Sequence, residues 1–176
     1  MGRATMKDID GFMTNIDLNV LTEWASRFSL IVEIGSWKGK STQALLAACP
    51  GKVIAIDHFK GSANQIDTVH KEAKTADIYK QFHDNVGHFE NLSVMRMDSR
   101  VAANLFAPKS IDMVFIDGSH EYKEIYADLI AWERVCKTML CGDDVWEDGV
   151  PKALHDAGIK YHFVNGTSLW YSMKEG

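Results

Sequence analysis

The chain has 176 residues, 46% of them hydrophobic and 24% charged, with a formal net charge of −5. That length and balance suit one soluble globular domain spanning 1–176, and the acidic surplus argues against general nucleic-acid binding. No apolar run reaches the length of a membrane span, and the first residues lack a secretory apolar core. The three cysteines, Cys49, Cys136 and Cys141, show no metal spacing. They read as free thiols of a reducing compartment, with the cytoplasm as the expected location.

In chain order, residues 1–28 form an N-terminal helical segment. Within it Leu18, Leu21, Trp24, Ala25 and Phe28 recur every three or four residues from Asn15 onward. This helix covers an edge of the fold, or the stretch from Gly11 to Ile16 contributes to a lid. Leu30 to Ile34 is a buried strand interrupted by Glu33, after which Gly35 and Gly39 turn the chain into a helix beginning near Ser41 and Thr42. A strand, a glycine turn and a helix start form the ligand edge of an open α/β sheet.

Three ligand loops could use Gly35-Ser36-Trp37-Lys38-Gly39-Lys40-Ser41-Thr42. A phosphate loop needs four residues between its glycines, and here there are three. A dinucleotide loop needs a second glycine where Trp37 stands, and an indole there would block a pyrophosphate. An adenosylmethionine loop carries no phosphate and tolerates the bulk. Glu33, one residue inside the strand, could then oppose the cationic methionine end directly or through water.

Lys52 to Asp57 is the next strand, and its terminal acid can accept both hydroxyls of a ribose. The polar segment 58–75 reads as a lid over the ligand, with His58 lining it. Asp77 to Val86 is helical. Asn91 to Met97 alternates as a strand and ends in Asp98-Ser99, a pair that either meets an adenine edge or caps a helix over Arg100 to Phe106. Ile111 to Asp117 is a further buried strand. A long helix follows from Tyr122, with Ile125, Leu129, Trp132 and Cys136 on one face, and then a short strand at Cys141 to Trp146. Gly149 to Ala157 is a short helix. Ile159 to Val164 and Ser168 to Met173 form a hairpin through Asn165-Gly166-Thr167.

Acids therefore recur at strand ends: Glu33, Asp57, Asp98, Asp117 and the pair Asp143-Asp144. Like charges in one crevice need cations among them. Asp117, Asp143 and Asp144 form the best oxygen-only set for a divalent ion, Mg²⁺ above all.

Together Val32 to Thr42, Ala55 to Ser62, Phe82 to Asn85, Phe115 to Tyr122 and Gly142-Asp143-Asp144 resemble the class I adenosylmethionine-dependent methyltransferases. More narrowly, the chain resembles the small family containing the macrocin-type sugar O-methyltransferases, with a more distant similarity to the catechol type. The resemblance implies a single-domain Rossmann-like α/β fold: a mostly parallel seven-stranded sheet with a C-terminal antiparallel hairpin and helices on both faces. It implies S-adenosyl-L-methionine as cofactor, held by Glu33, Gly35, Ser36, Trp37, Gly39, Ser41, Thr42, Asp57, His58, Asp98, Ser99 and Asp117. It further implies metal ligation by Asp117, Asp143 and Asp144. His120 stands where the catechol type has its lysine base, and Asp117 is the rival base. The expected reaction is divalent-metal-assisted transfer of a methyl group to a hydroxyl of a small molecule or sugar. The chain adds little around this core, so a second copy could complete the pocket as a homodimer. Two alternatives share many of the features: an NAD-dependent oxidoreductase and a non-catalytic adenosyl-binding module.

Overall fold

A computed structural model describes residues 7–61 and 71–174. The strands are β1 (Leu30–Ile34), β2 (Lys52–Ile56), β3 (Leu92–Met95), β4 (Ile111–Ile116), β5 (Cys136–Gly142), β6 (His162–Phe163) and β7 (Trp170–Met173). They form one seven-stranded sheet in the order β3-β2-β1-β4-β5-β7-β6. The first five in that order are parallel, while β7 runs antiparallel to both β5 and β6. This is the expected Rossmann-like architecture with its antiparallel ending.

The helices are α1 (Asn15–Ala25), α2 (Lys40–Ala48), α3 (Ile78–Val86), α4 (Ser99–Ala103), α5 (Tyr122–Glu133) and α6 (Gly149–Asp156). Because side chains alternate along a strand, each buried strand feeds two cores. Ile31, Met113 and Phe115 face one side with Leu21, Trp24, Leu45 and Phe82, beneath α1, α2 and α3. Val32, Ile34, Val114 and Ile116 face the other side with Leu129, Trp132, Val150 and Leu154, beneath α4, α5 and α6. The parallel strands thus read as nearly continuous apolar runs because both faces are covered.

One boundary differs from the sequence reading. The apolar spacing carries the α5 helix on to Cys136, and it leaves only a short strand from Cys141. In the structure α5 stops at Glu133, and Cys136–Gly142 is a full strand paired with β4 on one side and β7 on the other. Cys136 lies four residues after Trp132, so periodicity alone joins it to the helix. Pairing with strands remote in sequence decides otherwise. All three cysteines are free and buried. Residues 62–70, half of the expected lid, lie outside the described residues.

Trp132 is wholly buried and is among the largest side chains of the second core. Replacing it with alanine should destabilise the fold by about 3–5 kcal/mol, the usual cost of emptying so large a site. Urea denaturation of the two proteins checks this.

Candidate active site

The ends of the five parallel strands border one cavity of about 870 Å³, in the upper range for small-molecule sites. Its floor begins at the glycine turn. Gly35 has φ +84°, and a Cβ added there would lie 2.1 Å from the carbonyl oxygen of Asp117. Only glycine can bring the loop this close to the end of β4. The Gly35 N–H donates to Ile56 O at 3.0 Å, and the Asp117 N–H donates to Ile34 O at 2.8 Å, so the sheet ladder continues into the site.

Asp57 organises the next wall. One carboxylate oxygen accepts the Trp37 N–H at 2.9 Å, and the other accepts the Phe59 N–H at 2.6 Å. Trp37 and Phe59 have φ +45° and +58°, a backbone region that bulky residues rarely adopt. The carboxylate therefore pins two unfavourable turns, one in each loop, and still borders the cavity with lone pairs to offer.

The expected cofactor residues fall into two groups. Gly35, Ser36, Trp37, Ser41, Asp57, His58, Asp98, Ser99 and Asp117 line the cavity. Glu33, Gly39 and Thr42 are not on its lining; they support the loop from behind. Glu33 is wholly buried and accepts the hydroxyl proton of Thr42, tying β1 to the first turn of α2. Its other oxygen, Oε1, has no partner among the described residues. Burial raises the Glu33 carboxyl above the usual carboxylate range, and hydroxyl contacts oppose the rise. Gly39, at φ +93°, is the N-terminal boundary of α2 and packs against Phe82 and Val86. Asp98 caps α4, accepting from the backbone of Arg100 and Val101. The helix-cap reading of Asp98 thus holds in the structure, and the same residue also faces the cavity.

A further lysine emerges that spacing did not single out. Lys38 is 5% exposed, and its Nζ donates to Asp10 at 2.8 Å and to Glu72 at 2.7 Å. Burial works against the ammonium, but these two carboxylates outweigh it and raise its pKa. The Lys40 Nζ donates to the Gly11 carbonyl at 2.9 Å. These bonds hold residues 10–13 at the cavity, where Asp10, Gly11, Phe12 and Met13 are part of the lining. The first helix, α1, packs on α2 over one face of the sheet and not over its edge, and the strap before it borders the cavity.

At the other end of the cavity stand Asp117, His120, Asp143 and Asp144. Burial, then the charges of Asp143, Asp144, Glu33 and Asp57, push the Asp117 carboxyl well above its ordinary value. Burial likewise raises Asp143 to about 6, against a hydrogen bond from Ser168. Trp170 fixes the Asp143 backbone, its indole N–H donating to the Asp143 carbonyl at 3.1 Å. Asp144 has φ +62°, and its carboxylate lies 3.2 Å from His120 Nδ1.

These acids were expected to hold a divalent ion. Their chemistry suits a hard cation, and Asp143 Oδ1 is buried without a partner among the described residues. Among the described residues no three His, Cys, Asp or Glu side chains stand together as a metal site, and the Asp144 carboxylate lies beside His120.

A glycine-turned cavity at the carboxyl edge of a parallel sheet, with an acid just after its second strand and an antiparallel final strand pair, defines a class I adenosylmethionine-dependent methyltransferase. The chain belongs to the family described as a methyltransferase domain, which matches residues 32–145. No functionally curated protein matches it by sequence. Solved structures resemble it over nearly the whole chain. A Corynebacterium glutamicum protein superposes with a TM-score of 0.68 at 15% identity, covering 94% of this chain and 83% of that one. An O-methyltransferase from Bacillus cereus in complex with SAH gives 0.61 at 15% identity, with 97% and 86% covered. CalS11, a TDP-rhamnose 3′-O-methyltransferase of calicheamicin biosynthesis, gives 0.58 at 12% identity, with 92% and 79% covered. Identities this low speak to the fold. The family assignment decides against the nicotinamide alternative. Among the described residues no helix is long and apolar enough to cross a membrane.

Replacing Asp57 with alanine should weaken S-adenosylhomocysteine binding by about 1–3 kcal/mol, the scale of lost charge-assisted hydrogen bonds. Isothermal titration calorimetry measures it, and unchanged affinity would remove Asp57 from the ribose.

Proposed function

We propose that the protein transfers a methyl group from adenosylmethionine to a hydroxyl oxygen of a small molecule or sugar, with His120 as the base and Asp144 as its orienting partner. The observation that carries this reading is the 3.2 Å contact between His120 Nδ1 and the Asp144 carboxylate on the wall of the cavity. A carboxylate on one ring nitrogen sets the tautomer and stabilises the imidazolium that forms when the other nitrogen takes a proton.

Adenosylmethionine, when bound, supplies a methyl group already activated by its sulfonium. The chain must bind that group, aim an acceptor oxygen at it and remove the hydroxyl proton. Asp57 offers lone pairs to the ribose, and Gly35 and Ser36 give the loop its close approach. Ser36 is buried and lines the cavity beside the glycine turn. The strap at Asp10 to Met13 adds Phe12, which is 68% exposed yet borders the cavity, as an apolar surface for the acceptor. The choice of oxygen as acceptor draws support from the O-methyltransferases that share the fold, and the choice of a sugar from the one that acts on TDP-rhamnose.

The proposed transfer needs no metal, because His120 with Asp144 already supplies the base. The test measures methyl transfer from labelled adenosylmethionine to a panel of sugars and vicinal diols. His120→Ala should lower kcat about 10²–10⁴-fold, the range for a removed general base, while S-adenosylhomocysteine affinity stays close to wild type. Full activity in that variant refutes the role.

Chelation with EDTA should leave the wild-type rate unchanged. A loss restored by Mg²⁺ would overturn this scheme and assign Asp117, Asp143 and Asp144 to a cation.

A further inference from the structure

Asp128 lines the same cavity and has no part in the transfer just described. It sits on α5, on the stripe that also carries Ile125, Leu129 and Trp132. An acid on the buried face of a helix is costly unless it has a partner or a ligand. Asp128 is 8% exposed, and burial raises its carboxyl to about 6. One oxygen, Oδ1, accepts the hydroxyl proton of Ser99, the first residue of α4.

The neighbouring Asp98, which the sequence offers either to an adenine edge or as a helix cap, is otherwise engaged. Arg100 Nη2 donates to its Oδ2 at 2.6 Å, and Arg100 Nε donates to its Oδ1 at 3.1 Å. The Arg100 N–H donates to Oδ1 as well, at 3.0 Å. That guanidinium holds the Asp98 carboxyl down at about 2 and neutralises it. Asp128 has no such bidentate cation.

Beside Asp128 the cavity wall includes Gly118 and Ile34. Gly118 lacks a side chain; a Cβ added there would lie 3.7 Å from Ile34 and 3.9 Å from Asp128 Oδ2, with nothing nearer. Ile34, Ile56, Met97 and Gly118 all border the cavity, with Ser99 and Asp128 among its polar lining. A planar base resting on these groups would bring its polar edge to a carboxylate already fixed by a hydroxyl.

We infer that Asp128, held by Ser99, accepts an N–H of the cofactor's 6-amino group and so makes the site specific for adenine. The inference rests on the adenosylmethionine reading of the cavity. A purine carrying a 6-oxo group would set an acceptor against the carboxylate, a mismatch that buried polar sites reject strongly. Replacing the carboxylate by an amide supplies a donor and should relax that rejection.

The experiment titrates the full chain with S-adenosylhomocysteine and S-inosylhomocysteine by calorimetry. Wild-type protein should prefer the adenosyl ligand by roughly 100-fold, and Asp128→Asn should shrink the preference to below roughly tenfold. An unchanged ratio, or an equal loss for both ligands, overturns the inference and leaves Asp128 a structural acid. If Asp128→Asn does not fold, Ser99→Ala frees the carboxylate without removing it. The ratio should then fall in part, and an unchanged ratio overturns the inference. Wild-type protein that binds both ligands equally sinks this inference alone. Wild-type protein that binds neither sinks the cofactor reading beneath it.

Discussion

Five parallel strands ending on one edge impose an electrostatic constraint on the whole molecule. Asp57, Asp117 and Asp143 follow β2, β4 and β5 directly, Asp144 comes next, and Glu33 lies inside β1. Gathering these carboxylates in a buried crevice opposes folding, and it shows in the raised carboxyls of Glu33, Asp117 and Asp143. Protein hydrogen bonds relieve part of that cost. Thr42 donates to Glu33, two backbone N–H groups donate to Asp57, and His120 stands beside Asp144. The remaining negative potential suits a ligand with a cationic sulfonium, which brings positive charge into the same space.

The same constraint divides the acids by role. Glu33 acts on the protein itself, joining β1 to the start of α2 beneath the glycine turn. Asp57 acts in both directions, because the oxygens that fix Trp37 and Phe59 also border the cavity. Asp98 is spent on Arg100 and on the end of α4. Asp144 belongs to His120. Position at a strand end brings an acid to the site, but the hydrogen bonds already made to it decide what it can still do there.

Positive charge is placed with equal economy. Lys38 is buried between Asp10 and Glu72, so its ammonium binds the protein to itself and gathers the strap, the glycine loop and the segment after residue 70 around one point. Asn85 adds a second tie, donating to the Lys38 carbonyl at 2.9 Å. The cofactor loop is thereby braced from three sides, and bracing of this kind keeps a catalytic geometry from loosening.

Much of this was legible in the chain alone. The apolar runs Leu30–Ile34 and Ile111–Ile116, the glycines of the first turn and the acids after each strand are local patterns, and local patterns specify a parallel sheet with a ligand edge. The closing hairpin was equally plain from Asn165-Gly166. Contacts between residues far apart in sequence decided the rest. Periodicity alone joined Cys136 to the preceding helix, and only its pairing with β4 and β7 makes it a strand. Asp128 drew no notice along the chain, because its partner Ser99 stands 29 residues earlier. Three acids counted along the chain suggested a cation, and only the structure sets the Asp144 carboxylate beside His120. Sequence determines which groups reach the edge, because strand length and turn chemistry are local. Tertiary structure decides which of those groups are already bound to one another, because a hydrogen bond depends on distance and direction that no spacing encodes.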